Sequence, residues 1–176
     1  MESLKYPIGR FQSKASYTQE EVKSFVNDIR NLPSLLEIAV QNLDEAQLET
    51  PYRPEGWTVT QLVHHVADSH VNAYIRLKLA LTEERPIIKP YEEAEWAKLP
   101  DTAANPINVS ITLLHALHRR WVSIFDNMQP EQWKRTYIHP ASGEENDLTK
   151  LAALYSWHSM HHLAHIMSLK ERMNWQ

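Results

Sequence analysis

The sequence contains no cysteine. That removes disulfides, thiolate ligands and any cysteine nucleophile, so a bound metal must rest on histidine and carboxylate. Only three glycines occur in 176 residues, and no G-x-G-x-x-G is among them, which excludes a glycine-rich phosphate loop. No run of about 18 apolar residues is present, so no membrane association is expected. The first residues, Met-Glu-Ser-Leu-Lys-Tyr-Pro, hold no apolar signal core, and a cytoplasmic location is the default expectation. Basic blocks are missing as well, and the net charge is −4, which argues against a nucleic-acid partner. With 43% hydrophobic and 23% charged residues, what remains reads as one soluble domain over residues 1–176.

What the sequence has in quantity is histidine. Four of its ten histidines fall between Trp157 and His165, in the run W-H-S-M-H-H-L-A-H. At roughly 100° per residue on a helix, His162 stands about +40°, His165 about −20° and His161 about −60° from His158, so all four share one arc. Leu148, Leu151, Tyr155, His158, His162, His165 and Leu169 alternate at +3 and +4, the spacing of a buried seam. Three imidazoles therefore stand where apolar side chains belong. A buried imidazole needs a hydrogen-bond partner or a metal. A polar network inside a bundle is the plainer alternative. Two neutral imidazoles at i and i+4 can hold one divalent ion, and three on one seam favour ligation.

The rest of the chain supplies further helices. Thr18 with Glu21 forms a capping box after an extended arm over residues 1–17. Val22, Phe25, Ile29, Leu32, Leu36, Ala39 and Leu43 then mark a long helix, which Pro33 should kink or briefly break. A connector over 44–57 leads to a second capping box, Thr58 with Gln61, and a helix to about Thr82 that carries His64, His65 and His70. On angle, His70 lies nearest the middle of its apolar face and His65 at one edge; geometry cannot choose a third ligand between them. Residues 83–105 form a long connector, with a short helix expected within Tyr91 to Leu99, and could wall a pocket. Asn105-Pro106 reads as the cap and first position of a third helix to Met128, with His115 and His118 as surface or rim residues. Residues 129–147 are read as irregular, and Asp147 as the cap of a last helix to about Asn174. No segment reads as a strand. The class is all-α: a four-helix bundle with long connectors, its halves weakly alike.

Several of these segments together resemble a known family. Pro51-Tyr52-Arg53, Gly56-Trp57-Thr58-Val59, His64 to His70, Tyr74-Ile75-Arg76, Leu117-His118 with Arg120-Trp121, Trp157-His158 with His161-His162 and His165, and Arg172 to Trp175 are similar, in order and spacing, to the YfiT group of the DinB-like superfamily. The resemblance covers essentially the whole chain. It implies an up-down-down-up bundle, a homodimer, and one divalent metal per subunit, Zn2+ or Ni2+, on three histidines. Carried over by position, those are His65, His158 and His162. It also implies a small-molecule substrate and a metal-dependent hydrolase. Other members of the superfamily are thiol-dependent, so a bacillithiol S-transferase in detoxification is an alternative; a non-catalytic, metal-stabilised stress protein is another. Asp68, Tyr155 and His161 are candidates for roles beside the metal, with His161 or His165 a possible fourth ligand and Arg53, Arg76 and Arg120 possible contacts for an anionic substrate.

Overall fold

The computed structural model describes residues 2–176. Four long helices make the body: α2 (Gln19–Val40), α4 (Val59–Thr82), α7 (Ile107–Asn127) and α8 (Leu148–Met173). Short elements fill the joints: α1 (Glu2–Lys5), α3 (Glu45–Leu48), α5 (Glu93–Trp96), α6 (Pro100–Ala104), a 3-10 turn (Gln132–Lys134), and the strands β1 (Thr136–Ile138) and β2 (Glu145–Asp147). Among the described residues no helix is long and apolar enough to cross a membrane.

Cross-helix bonds fix the direction of each helix. Asp28 meets Ser156 and the Ala39 carbonyl meets Lys170, so α2 and α8 run parallel. Arg30 meets Asp126 and Glu37 meets His115, so α2 and α7 are antiparallel. His64 meets Ser110 and His70 meets His118, which makes α4 and α7 parallel. His70 meets His158 and Arg76 meets Tyr155, which makes α4 antiparallel to α8. The order is up-down-down-up. Parallel neighbours α4 and α7 need a long crossing, and residues 83–106 supply it.

Local chemistry sets the helix ends. Thr18 and Thr58 both close reciprocal capping boxes, and Asp44 with Gln47 closes a third at α3. Asp147 accepts from the Lys150 N–H to start α8, and Asn174 ends it in the left-handed region. Arg135 donates to the carbonyls of Ala80 and Glu83, which capping by α4 itself leaves free.

Four expectations are corrected. The N-terminal arm includes a helical turn, α1. Pro106 is the N-cap of α7, and Asn105 instead closes α6 while its amide returns to Asp101. The segment 129–147 is not wholly irregular: β1 and β2 pair antiparallel with Tyr137 opposite Asn146, and Ile138 also bonds to Pro86 and Ile88 of the crossing. The break allowed for at Pro33 does not occur: α2 is one continuous helix with Pro33 buried inside it. The lost N–H of Pro33 removes the partner of the Ile29 carbonyl, and His118 Nδ1 replaces it at 2.5 Å.

Two apolar cores lie along the bundle. One gathers Leu36, Leu62, Val66, Leu114, Ile166 and Leu169; the other gathers Ile29, Leu77, Trp121, Phe125, Leu148 and Leu151. Burying each such side chain contributes about 1.5–3 kcal/mol. Between the two cores lie His70 with Ser69 on α4, His118 with Leu117 on α7, and His158, Ser159, His161 and His162 on α8.

Candidate metal centre

The polar layer between the cores holds the site. His65 comes from α4, under the ring of Trp57 at 4.5 Å between centroids. His158 and His162 stand one turn apart on α8 with ring centroids 4.4 Å apart, and the His65 ring lies 5.4 and 5.0 Å from them. Each of the three offers a ring nitrogen, all within 4.8 Å of one another. His65 and His162 are buried, and His158 keeps a partly exposed edge. Burial, with His161 nearby, pushes His65 down to about 4. Burial first, then the neighbouring imidazoles, holds His158 and His162 well below the ordinary histidine range. All three are thus neutral at pH 7, the protonation state a metal requires.

These residues fit a divalent cation. His162 Nδ1, like His161 Nδ1 and His165 Nδ1 on the same helix, is buried with no partner, a condition that costs about 1–3 kcal/mol for each group that nothing satisfies. Uncharged imidazoles suit zinc and nickel alike. A second group, His161, His162 and His165, also brings ring nitrogens within 4.8 Å and shares His162. It lies on one helix. His165 Nε2 donates to the Lys5 carbonyl at 3.2 Å, and His161 stacks on Trp157 at 4.4 Å.

Polar side chains border the first group. The Ser69 hydroxyl lies 3.5 Å from His158 Nε2. Arg76 Nη1 donates to the Tyr155 hydroxyl at 3.3 Å, and Arg76 Nε is buried without a partner. Asp68 sits one turn along α4 from His65, half-buried; burial and then the Asp101 charge push its carboxyl up to about 6. Tyr91 and Glu93, from the crossing between α4 and α7, stand beside Ser69, Asp68 and Arg76. The long connector does wall the site.

The other candidates separate. Tyr155 is buried and turns its hydroxyl to Arg76. Arg120 lies over Tyr74 and Arg53 over Tyr52. His115 pairs with Glu37 at the surface. His64 is buried and bonds to Ser110 and the Asn105 carbonyl. His118 is corrected: it is 2% exposed, not a rim residue. Leu114 at i−4, Trp121 at i+3 and Val122 at i+4 flank it, and that apolar frame was readable in the sequence. His70 is fully buried and touches both His118 and His158.

A bundle with a histidine layer across its middle is the architecture of a metal-binding helical protein. The chain belongs to the DinB superfamily, whose pattern matches residues 29–166. It is 51% identical to a protein of Bacillus mycoides (strain KBAB4) and 51% identical to one of Bacillus cereus (strain 03BB102). Each match spans 99% of this chain and all of the relative. Both relatives are named as metal-dependent hydrolases, a function their names give as provisional. Among solved structures, the chain superposes with a TM-score of 0.96 on YfiT from Bacillus subtilis, at 43% identity over 99% of both chains. YfiT is described as a probable metal-dependent hydrolase with an unusual four-helix bundle topology. The all-α, DinB-like fold expected from the sequence is the fold observed.

Proposed function

We propose that this protein is a metal-dependent hydrolase of a small, anionic substrate, with one zinc or nickel ion held by His65, His158 and His162. The observation that carries the reading is the meeting of three neutral imidazoles from two helices at a partly exposed edge. A three-histidine set leaves the ion its full charge and at least one open position, the pattern of catalytic sites. When bound, such an ion supplies Lewis acidity that lowers the pKa of a coordinated water from about 15.7 to about 7. The chain's own residues do the rest. Asp68, held near pH 6, can take or return a proton at neutral pH. Arg76 places a cation beside the site and orients the Tyr155 hydroxyl. Trp57 and the connector carrying Tyr91 keep bulk water from His65 and Ser69.

A second reading uses the same residues. Arg76 Nε has no partner, so the site can receive the carboxylate of a low-molecular-weight thiol, and a metal deprotonates a coordinating thiol. One experiment separates the readings. Metal-loaded, untagged protein is screened against esters, amides and phosphoesters, and in parallel for bacillithiol conjugation, with and without chelator. The hydrolase reading expects chelator-sensitive hydrolysis that disappears in His158→Ala. Chelator-sensitive conjugation without hydrolysis would make the protein a thiol transferase. Bound metal with no turnover in either assay would leave it a metal-stabilised protein without catalysis.

A further inference from the structure

Two buried histidines, His70 and His118, lie outside the proposed ligand set, and the set does not explain them. They join Ile29 to His158 in one line. His118 Nδ1 lies 2.5 Å from the Ile29 carbonyl, His118 Nε2 lies 2.8 Å from His70 Nδ1, and His70 Nε2 lies 3.1 Å from His158 Nδ1. The His70 and His118 rings are stacked, 16° apart in plane.

The direction of this line follows from its first atom. A carbonyl only accepts, so His118 Nδ1 carries the proton. In a neutral ring the other nitrogen is then an acceptor, so His118 Nε2 accepts from His70 Nδ1–H. By the same step His70 Nε2 accepts, and His158 Nδ1–H donates to it. His158 is left with its lone pair on Nε2, the nitrogen that also faces the Ser69 hydroxyl. The Ile29 carbonyl can start the line because Pro33, four residues on, has no N–H to occupy it.

We propose that Pro33, Ile29, His118 and His70 form a positioning relay that fixes His158 as its Nδ1–H tautomer and presents Nε2 to the metal. The inference rests on His158 being a ligand. It adds His70 and His118 as positioning residues and gives the helical proline a task. Partners of this kind orient a ligating imidazole and raise its basicity, and their loss typically weakens metal binding about 10- to 100-fold.

The direct test is nitrogen-15 NMR of the histidine rings in the metal-free wild-type protein. The relay predicts a protonated Nδ1 and an unprotonated Nε2 for His118, His70 and His158 together. A protonated Nε2 on His158 overturns it. The second test measures Co2+ affinity by competition with a chelator. His70→Leu is expected to weaken binding at least tenfold, while His70→Gln, which can both donate and accept, recovers most of the loss. Equal affinity in wild type and His70→Leu overturns the relay, and so does equal weakness in the Leu and Gln variants. The two claims fail separately. A wild-type protein that binds no metal defeats the three-histidine site, whatever the tautomers are. Metal bound with His158 in the other tautomer defeats the relay alone.

Discussion

Each histidine of the central layer is neutral for the same physical reason: burial raises the cost of the charged ring more than any neighbour lowers it. Its consequence is a pH dependence with a definite sign. His65, His118, His161 and His165 are all pushed down to about 4, mainly by burial. Unfolded, each returns to the ordinary value near 6.5. The unfolded chain therefore binds more protons below that value, and the folded state loses stability as pH falls from about 6.5 towards 4. Each extra proton changes the slope by about 1.4 kcal/mol per pH unit. The metal-free protein is expected to melt at a clearly lower temperature at pH 5 than at pH 7, measured by circular dichroism. A melting temperature equal at both values would mean these imidazoles are protonated in the fold. At this scale the sequence told much. The seam spacing put His158, His162 and His165 inward, and burial of His162 and His165 agrees. The choice of His65 over His70 came from resemblance alone, because helical angle cannot report what lies across the bundle. His70 was recognised as buried but not as the middle of a line, since its partners come from α7 and α8, far away in sequence.

Among the elements, α4 carries the densest set of constraints, because its first turns place His65 and its middle places His70. Thr58 and Gln61 close its N-terminus reciprocally. Thr58→Ala is expected to cost about 1 kcal/mol of stability in chemical denaturation. Co2+ affinity should change less than twofold, because the cap lies two turns from His65. A large loss of affinity with unchanged stability would show that the cap positions the site directly. Capping boxes were the most readable feature of the chain, since both partners lie within four residues. The hairpin of β1 and β2 was unreadable by comparison. Its strands are three residues long and include Thr136, Glu145 and Asp147, with no apolar alternation to mark them. They pair because the crossing after α4 and the arginine at 135 anchor one side of the hairpin.

Over the whole molecule, the up-down-down-up order makes the site possible. The antiparallel contact of α4 with α8 brings residues 65 and 162 to one level, and the parallel contact of α4 with α7 brings 70 and 118 to the same layer. The number of long helices is legible in the apolar periodicity; their directions are implied only by the family resemblance, because the paths of the long connectors follow from contacts distant in sequence. Buried imidazole nitrogens without partners cost the metal-free bundle stability, and an ion held by the proposed ligands would offset that cost. Binding to the native state alone adds about 2.7 kcal/mol when free metal is 100 times the dissociation constant. Zinc or nickel at that excess is therefore expected to raise the melting temperature by several degrees, and chelator to reverse the rise. No shift at saturating metal would contradict a preformed site.

Two groups of histidines that share His162 could each hold the proposed ion. Elemental analysis of untagged wild type, His65→Ala and His165→Ala, purified side by side, decides between them. The predicted result is about one equivalent of metal in wild type and in His165→Ala, and almost none in His65→Ala. Metal retained in His65→Ala and lost in His165→Ala would move the site to His161, His162 and His165 and contradict the account.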